Sequence, residues 1–126
     1  MEKETIKRYL NKYPEMTYKG IEWNLNNVEY KKQRAELLNS TDEIQKCICW
    51  LVEFYVPTEM LVHLHSSYEL KHYVEDYFNE YVSNGSFAAA VKILGYKYRA
   101  FTDDLNIYLS FRKVQLKKYK EKYFRH

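Results

Sequence analysis

Apolar residues recur at helical spacing in the first dozen positions. Ile6, Tyr9, Leu10 and Tyr13 fall at i, i+3, i+4 and i+7, which predicts an amphipathic helix over residues 2–12. Pro14 ends that run, because its ring crowds the preceding residue out of helical geometry. A second stripe through Ile21, Leu25, Val28, Ala35 and Leu38 predicts a helix capped by Thr17 and reaching Asn39. Asn24, Asn26 and Asn27 lie within it and are poor helix formers. Together the two segments read as an antiparallel helical hairpin over residues 1–39.

Ser40-Thr41-Asp42-Glu43 is a helix start, a hydroxyl cap followed by acids at the positive end of the helix dipole. The run IQKCICWLVEFYV is apolar on nearly all sides and predicts the central core helix, with a buried strand competing for ICWLVEFYV. Pro57 stops it, and Glu59 to His65 reads as a short apolar link or an extra turn. Ser66-x-x-Glu69 repeats the capping pattern. The helix it opens carries Leu70, Tyr73, Val74, Tyr77, Phe78 and Tyr81 on one wide face. Asn84-Gly85 predicts a two-residue corner, with Gly85 as the helix C-cap. Ser86 then caps a short alanine-rich helix, FAAAVKIL, closed by Gly95. Tyr96 to Phe101 and Ile107 to Val114 alternate around the polar stretch Thr102 to Asn106, which predicts a β-hairpin. The last dozen residues read as a basic helix or a frayed tail.

The expected fold is therefore α+β: a mainly helical single domain of about five helices with a C-terminal β-hairpin. Its parts are a helical hairpin (1–39), a helical core (40–95), the β-hairpin (96–114) and a basic tail (115–126). The length of 126 residues supports one core without disulfides or metals.

Composition adds two points. Tyrosine is abundant, 14 residues within an aromatic content of 17%. A tyrosine joins a large apolar ring to a hydroxyl that wants a partner, so this count predicts half-buried positions, a contact surface, or both. The compositional explanation is a low-GC genome, in which Lys, Asn, Tyr and Ile abound. The second point is charge placement, since the net charge of +3 says little alone. From Thr41 to Gly85 there are eight acids against two bases, and from Tyr96 to His126 nine bases against three acids. A basic end can meet phosphate. An acidic middle can meet a basic groove on another protein or fold back on the chain's own basic end.

Candidate chemistry is sparse. There is no Walker loop, no GxGxxG, no GxSxG and no paired CxxC. Cys47 and Cys49 point to different faces of a helix and read as reduced thiols. His63 and His65 could chelate a metal only from an extended segment and lack an obvious third ligand. Asp103-Asp104 suits a turn for backbone reasons. The expectation is no enzyme, no cofactor and no metal. Without an apolar window long enough for a bilayer or an apolar signal core at the start, the expected setting is the host cytoplasm, with no membrane partner.

The segment from Ser66 to Leu94 resembles a helix-turn-helix, and the hairpin after it resembles a wing. A helix that reads bases needs exposed Arg, Lys, Asn or Gln, and FAAAVKIL offers only Lys92. The candidate nucleic-acid contacts are thus Lys92 with the hairpin and tail residues Lys97, Arg99, Arg112, Lys113, Lys117 and Lys118. Tyr96, Tyr98 and Tyr108 could stack on unpaired bases or simply cover the core. The candidate acidic partner-binding face is Glu69, Glu75, Asp76 and Glu80.

SSYELKH followed by YVSNGSFAAAVKILGY resembles a pattern in small uncharacterised proteins of phages and other mobile elements. The positions that carry it are Ser67, Tyr68, Leu70, Lys71, His72, Ser83, Asn84, Gly85, Phe87, Ala89, Ala90, Gly95 and Tyr96. The N-terminal segments also resemble the helical hairpins of small phage late-regulator proteins. The likeness implies a mobile-element origin. Size and charge segregation are similar to those of anti-CRISPR-type inhibitors. On that reading the acidic face mimics phosphate on a host protein or nucleoprotein, with DNA or RNA as the other class of partner. The alternative is a winged-helix-like DNA-binding transcriptional regulator.

Overall fold

The computed structural model of the chain describes residues 1–112. Its elements run α1 (Lys3–Leu10), β1 (Met16–Thr17), β2 (Gly20–Ile21), α2 (Tyr30–Leu38), α3 (Thr41–Phe54), β3 (Leu64–Ser66), α4 (Ser67–Phe78), α5 (Asn84–Leu94), β4 (Arg99–Ala100) and β5 (Ile107–Ser110). Among the described residues there are thus five helices and two small antiparallel sheets, the mainly helical α+β fold that the patterning predicts.

The core is built around α3 and α5. Ile44, Cys47, Ile48, Trp50 and Leu51 of α3 are buried, as are Phe87 to Ile93 of α5. Three consecutive alanines, Ala88, Ala89 and Ala90, leave no side-chain bulk between α5 and its neighbours, which is what lets other elements pack close on every side of it. Trp50 sits at the centre, its ring 6.4 Å from Phe87 and 6.0 Å from Phe111. The helix option for ICWLVEFYV prevails over the strand option, and Tyr55 leaves the helix in extended geometry two residues before Pro57.

The N-terminal third departs from a helical hairpin. Only α1 and the short α2 are helical. Between them, Met16-Thr17 and Gly20-Ile21 form a tight β-ribbon, and Thr17 serves its turn: its hydroxyl donates to the Gly20 carbonyl at 3.0 Å. The asparagines explain the lost helix. Asn24 Oδ1 accepts from the Asn26 amide, and Asn27 Oδ1 from the Glu29 amide. These local side-chain bonds offer the backbone an alternative to helical pairing. Arg34 then ties α2 to α1 by donating to the carbonyls of Leu10, Tyr13 and Met16.

Two further boundaries differ from the pattern. The apolar link after Pro57 ends in β3, which pairs with β5, so the predicted hairpin is part of a three-stranded sheet in the order β3-β5-β4. Helix α4 stops at Phe78 with Asn79 in the left-handed region, and Ser83, not Ser86, caps α5. Gly85 therefore lies inside the first turn of α5 and is no C-cap. Ser40 precedes α3 but its hydroxyl does not cap it; it donates back to the Glu36 carbonyl at 2.7 Å. Ser66 Oγ accepts from the Glu69 amide at the start of α4, and Gly95 closes α5 with φ of 73°. The predicted hairpin residues Lys113 and Val114 and the basic tail lie outside the described residues.

Candidate functional site

The chain from α3 to β5 runs helix, strand, helix, helix, strand, strand, with the first strand paired to the last. In a helix-turn-helix the second helix must be free on one face to enter a groove. Here that helix is α5, and residues Gly85 to Ile93 are all buried. The β1–β2 ribbon covers its start: the Gly85 amide donates to the Tyr18 carbonyl at 3.0 Å. A Cβ on Gly85 would lie 1.8 Å from the Thr17 carbonyl oxygen, so glycine is what permits this approach.

Lys92, the cation proposed on that helix, faces inward. It is 9% exposed, donates to Glu15 Oε1 at 2.6 Å, and lies over the rings of Tyr13 and Tyr98. Burial works against its charge, but Glu15 and Tyr98 outweigh burial and hold its pKa above the ordinary lysine value. It is thus a structural cation and not a surface contact, because an amphipathic stem on a buried helix carries its head to the nearest carboxylate. Lys97, Arg99 and Arg112 are exposed, with Lys97 donating to the Glu59 carbonyl at 2.9 Å. Lys113, Lys117 and Lys118 lie outside the described residues.

The acids of α4 separate into two kinds. Glu75 is only partly exposed and is bound from three directions: Lys71 Nζ at 3.2 Å, His72 Nδ1 at 2.7 Å and the Val82 amide at 3.3 Å. Burial opposes its ionisation, yet these donors hold the carboxyl below its usual range. Glu75 therefore belongs to the fold, where it fastens the turn between α4 and α5. Glu69, Asp76 and Glu80 are exposed. His65 meets Glu69 and Lys46 meets Glu80 at the surface; such pairs are weak in water and yield to a partner. Exposed tyrosines lie among these acids, Tyr68 at 56%, Tyr77 at 42% and Tyr81 at 61%. Glu69, Glu75 and Glu80 thus meet His65, Lys71, His72 and Lys46.

A groove of about 470 Å³ opens between α2, the tip of the β1–β2 turn, α4 and the turn before β5. Several residues of the SSYELKH and YVSNGSFAAAVKILGY segments converge on it. Ser67 Oγ donates to Asn84 Oδ1 at 2.6 Å and accepts from the Ile107 amide at 3.1 Å, and Asn84 Nδ2 donates to the Lys19 carbonyl at 2.9 Å. These bonds fix one rim to the sheet and the other to the N-terminal ribbon. Lys71 forms the floor. It is 3% exposed, donates to Glu75 and to the Val82 carbonyl, and its Nζ lies 5.3 Å from the Tyr68 ring centroid and 4.3 Å from that of Tyr81.

Sequence reasoning placed no role on Tyr18, Gln33 or Glu36, and read Glu43 only as an acid at the start of α3. Glu43 Oε1 accepts from the Ser83 amide at 2.8 Å and from Ser86 Oγ at 3.1 Å, while its other oxygen accepts from the Tyr18 hydroxyl at 2.9 Å. Burial and this carboxylate push the Tyr18 phenol well above its ordinary pKa. The signal for these residues is long-range and has no local trace, whereas Ser83-Asn84-Gly85 was visible as an unusual local cluster.

Among the described residues, no group of three or more His, Cys, Asp or Glu side chains could hold a metal ion, and no helix is long and apolar enough to cross a membrane. Both cysteines are free thiols, Cys47 buried and Cys49 exposed. No protein family, curated protein or solved structure matches the chain.

Proposed function

We propose that this chain is a non-enzymatic binding protein of a phage or other mobile element. It lays the outward face of α4 on a basic, nucleic-acid-binding surface of a host protein or nucleoprotein. One observation carries this reading: α4 and the turn after it expose Tyr68, Tyr77 and Tyr81 together with Glu69, Asp76 and Glu80. Tyrosine provides large contact area with few rotors to freeze and is enriched among the residues that dominate binding energy. Carboxylates around it steer a cationic partner into place. The origin rests on the resemblance of SSYELKH and YVSNGSFAAAVKILGY to mobile-element proteins. Inhibition follows from competition, since a surface occupied by α4 is closed to phosphate.

The test is capture from nuclease-treated host lysate on the immobilised chain, followed by elution with excess duplex DNA. A captured nucleic-acid-binding protein that DNA displaces supports the reading. Glu69→Lys with Asp76→Lys should abolish capture in a variant that still unfolds in one cooperative transition. Capture that nuclease eliminates, or that survives the charge reversal, overturns it.

The strand order favours a second reading, a winged-helix-like regulator. With α5 enclosed, such a protein would touch DNA through Lys97, Arg99 and Arg112. Contacts of that kind neutralise phosphates, so binding would fall steeply with salt and discriminate poorly among sequences. A shift of duplex DNA that falls steeply with salt and is lost on Arg99→Glu with Arg112→Glu would favour the regulator.

A further inference from the structure

We infer that the groove over Lys71 is a binding site for a guanine base carrying a phosphate. This goes beyond the α4 surface contact and does not depend on it. The volume of about 470 Å³ is that of a small-ligand site. Its walls include the rings of Tyr68 and Tyr81, and a planar base stacks on such rings whatever its sequence context.

The edge chemistry selects among bases. Gln33 and Glu36 lie three residues apart on α2, hence on one face of that helix, and both line the groove. A carboxylate only accepts, and an amide can donate beside it. Among the common bases, only guanine presents two adjacent donors, N1–H and the 2-amino group, next to an acceptor, O6. Glu36 would accept the first two and Gln33 would donate to the third. Adenine and cytosine place an acceptor beside their amino group, which would face the Glu36 carboxylate and leave it repelled. Lys71, held by Glu75, the Val82 carbonyl and the rings of Tyr68 and Tyr81, gives the floor a positive charge. Lys19, exposed at the tip of the β1–β2 turn, lines the same groove and supplies a cation for phosphate.

Isothermal titration of the intact chain with GMP, AMP, guanosine and two single-stranded hexamers, one all-uridine and one with a single guanosine, tests this. GMP should bind more tightly than AMP by about tenfold, the discrimination of a good bidentate pair. Glu36→Gln should erase that preference with an unchanged melting temperature. Lys19→Ala should weaken GMP but leave guanosine unaffected. A guanosine-containing hexamer that outbinds GMP identifies the ligand as an unpaired base of a strand; GMP binding as tightly or more tightly identifies a free nucleotide. Equal affinity for GMP and AMP, no binding of either at millimolar concentration, or a preference that survives Glu36→Gln overturns the inference.

Discussion

The Gly85 amide donates to the Tyr18 carbonyl at 3.0 Å, so the tip of the N-terminal ribbon sits on the first turn of α5. That bond satisfies one of the orphan donors of a helix N-terminus. It also closes the face that a DNA-reading helix would keep open. One backbone contact, across 67 positions of chain, thereby encloses the start of α5.

Gly85→Ala should be severely destabilising. The added methyl would meet the Thr17 carbonyl oxygen at 1.8 Å, and backbone must move to admit it. Overpacking typically costs about 1–3 kcal/mol, and this case lies at the upper end. Gly95→Ala is the comparison: nothing lies within 4 Å, and only its φ of +73° resists, at about 1 kcal/mol. Urea denaturation of both variants checks the order, which reverses if the ribbon does not seat on α5.

Glu43 joins the Tyr18 hydroxyl to the capping turn of α5. Glu43→Ala leaves several of these donors without an acceptor and should cost about 2–3 kcal/mol, whereas Tyr18→Phe removes one bond and should cost about 1 kcal/mol. A double-mutant cycle should give a coupling of at least about 0.5 kcal/mol. Additive effects would mean that the two side chains do not meet.

The Lys92–Glu15 pair is asymmetric, with the lysine side chain 8% exposed and the carboxylate side chain 33%. Losing the acid strands a buried ammonium, while losing the base leaves a carboxylate that water reaches. Glu15→Ala should therefore destabilise more than Lys92→Met, by about 1 kcal/mol or more. Neither should change retention on a nucleic-acid column. The opposite order of urea midpoints would contradict the burial of Lys92.

Acid sensitivity should trace in part to Glu75. Its carboxyl is held below the usual range in the folded chain by Lys71, the Val82 amide and His72, which outweigh its burial. A depressed folded pKa contributes stability above the unfolded value, and that contribution is lost as pH falls through the folded one. The stability of the parent chain should drop from about pH 5 downward. Glu75→Gln should be less stable at neutral pH and flatter across that window, measured as unfolding free energy against pH. An unchanged slope would show that Glu75 is not the group involved.

Much of the architecture was written locally. The stripes of α1 and α3, the Ser66 cap, the Gly95 stop and the alternation of the final strands are properties of neighbouring residues, and neighbouring residues are what a pattern reads. The alanine run announced a helix that packs closely. What the pattern could not carry was partnership at a distance. Thr17 has the chemistry of a helix cap and of a turn, and only the close seat on Gly85 chose the turn. Gly85 suits a C-cap as well as a close approach, and Lys92 suits a phosphate as well as Glu15. Charge on a helix became surface or structure according to what packed against it: Asp76 stayed exposed, and Glu75, one residue earlier, turned onto the buried Lys71. Local propensity set the elements because it acts within a turn or two of chain. Exposure was decided by tertiary packing, because the desolvation that separates a buried cation from a surface one depends on segments far away in sequence.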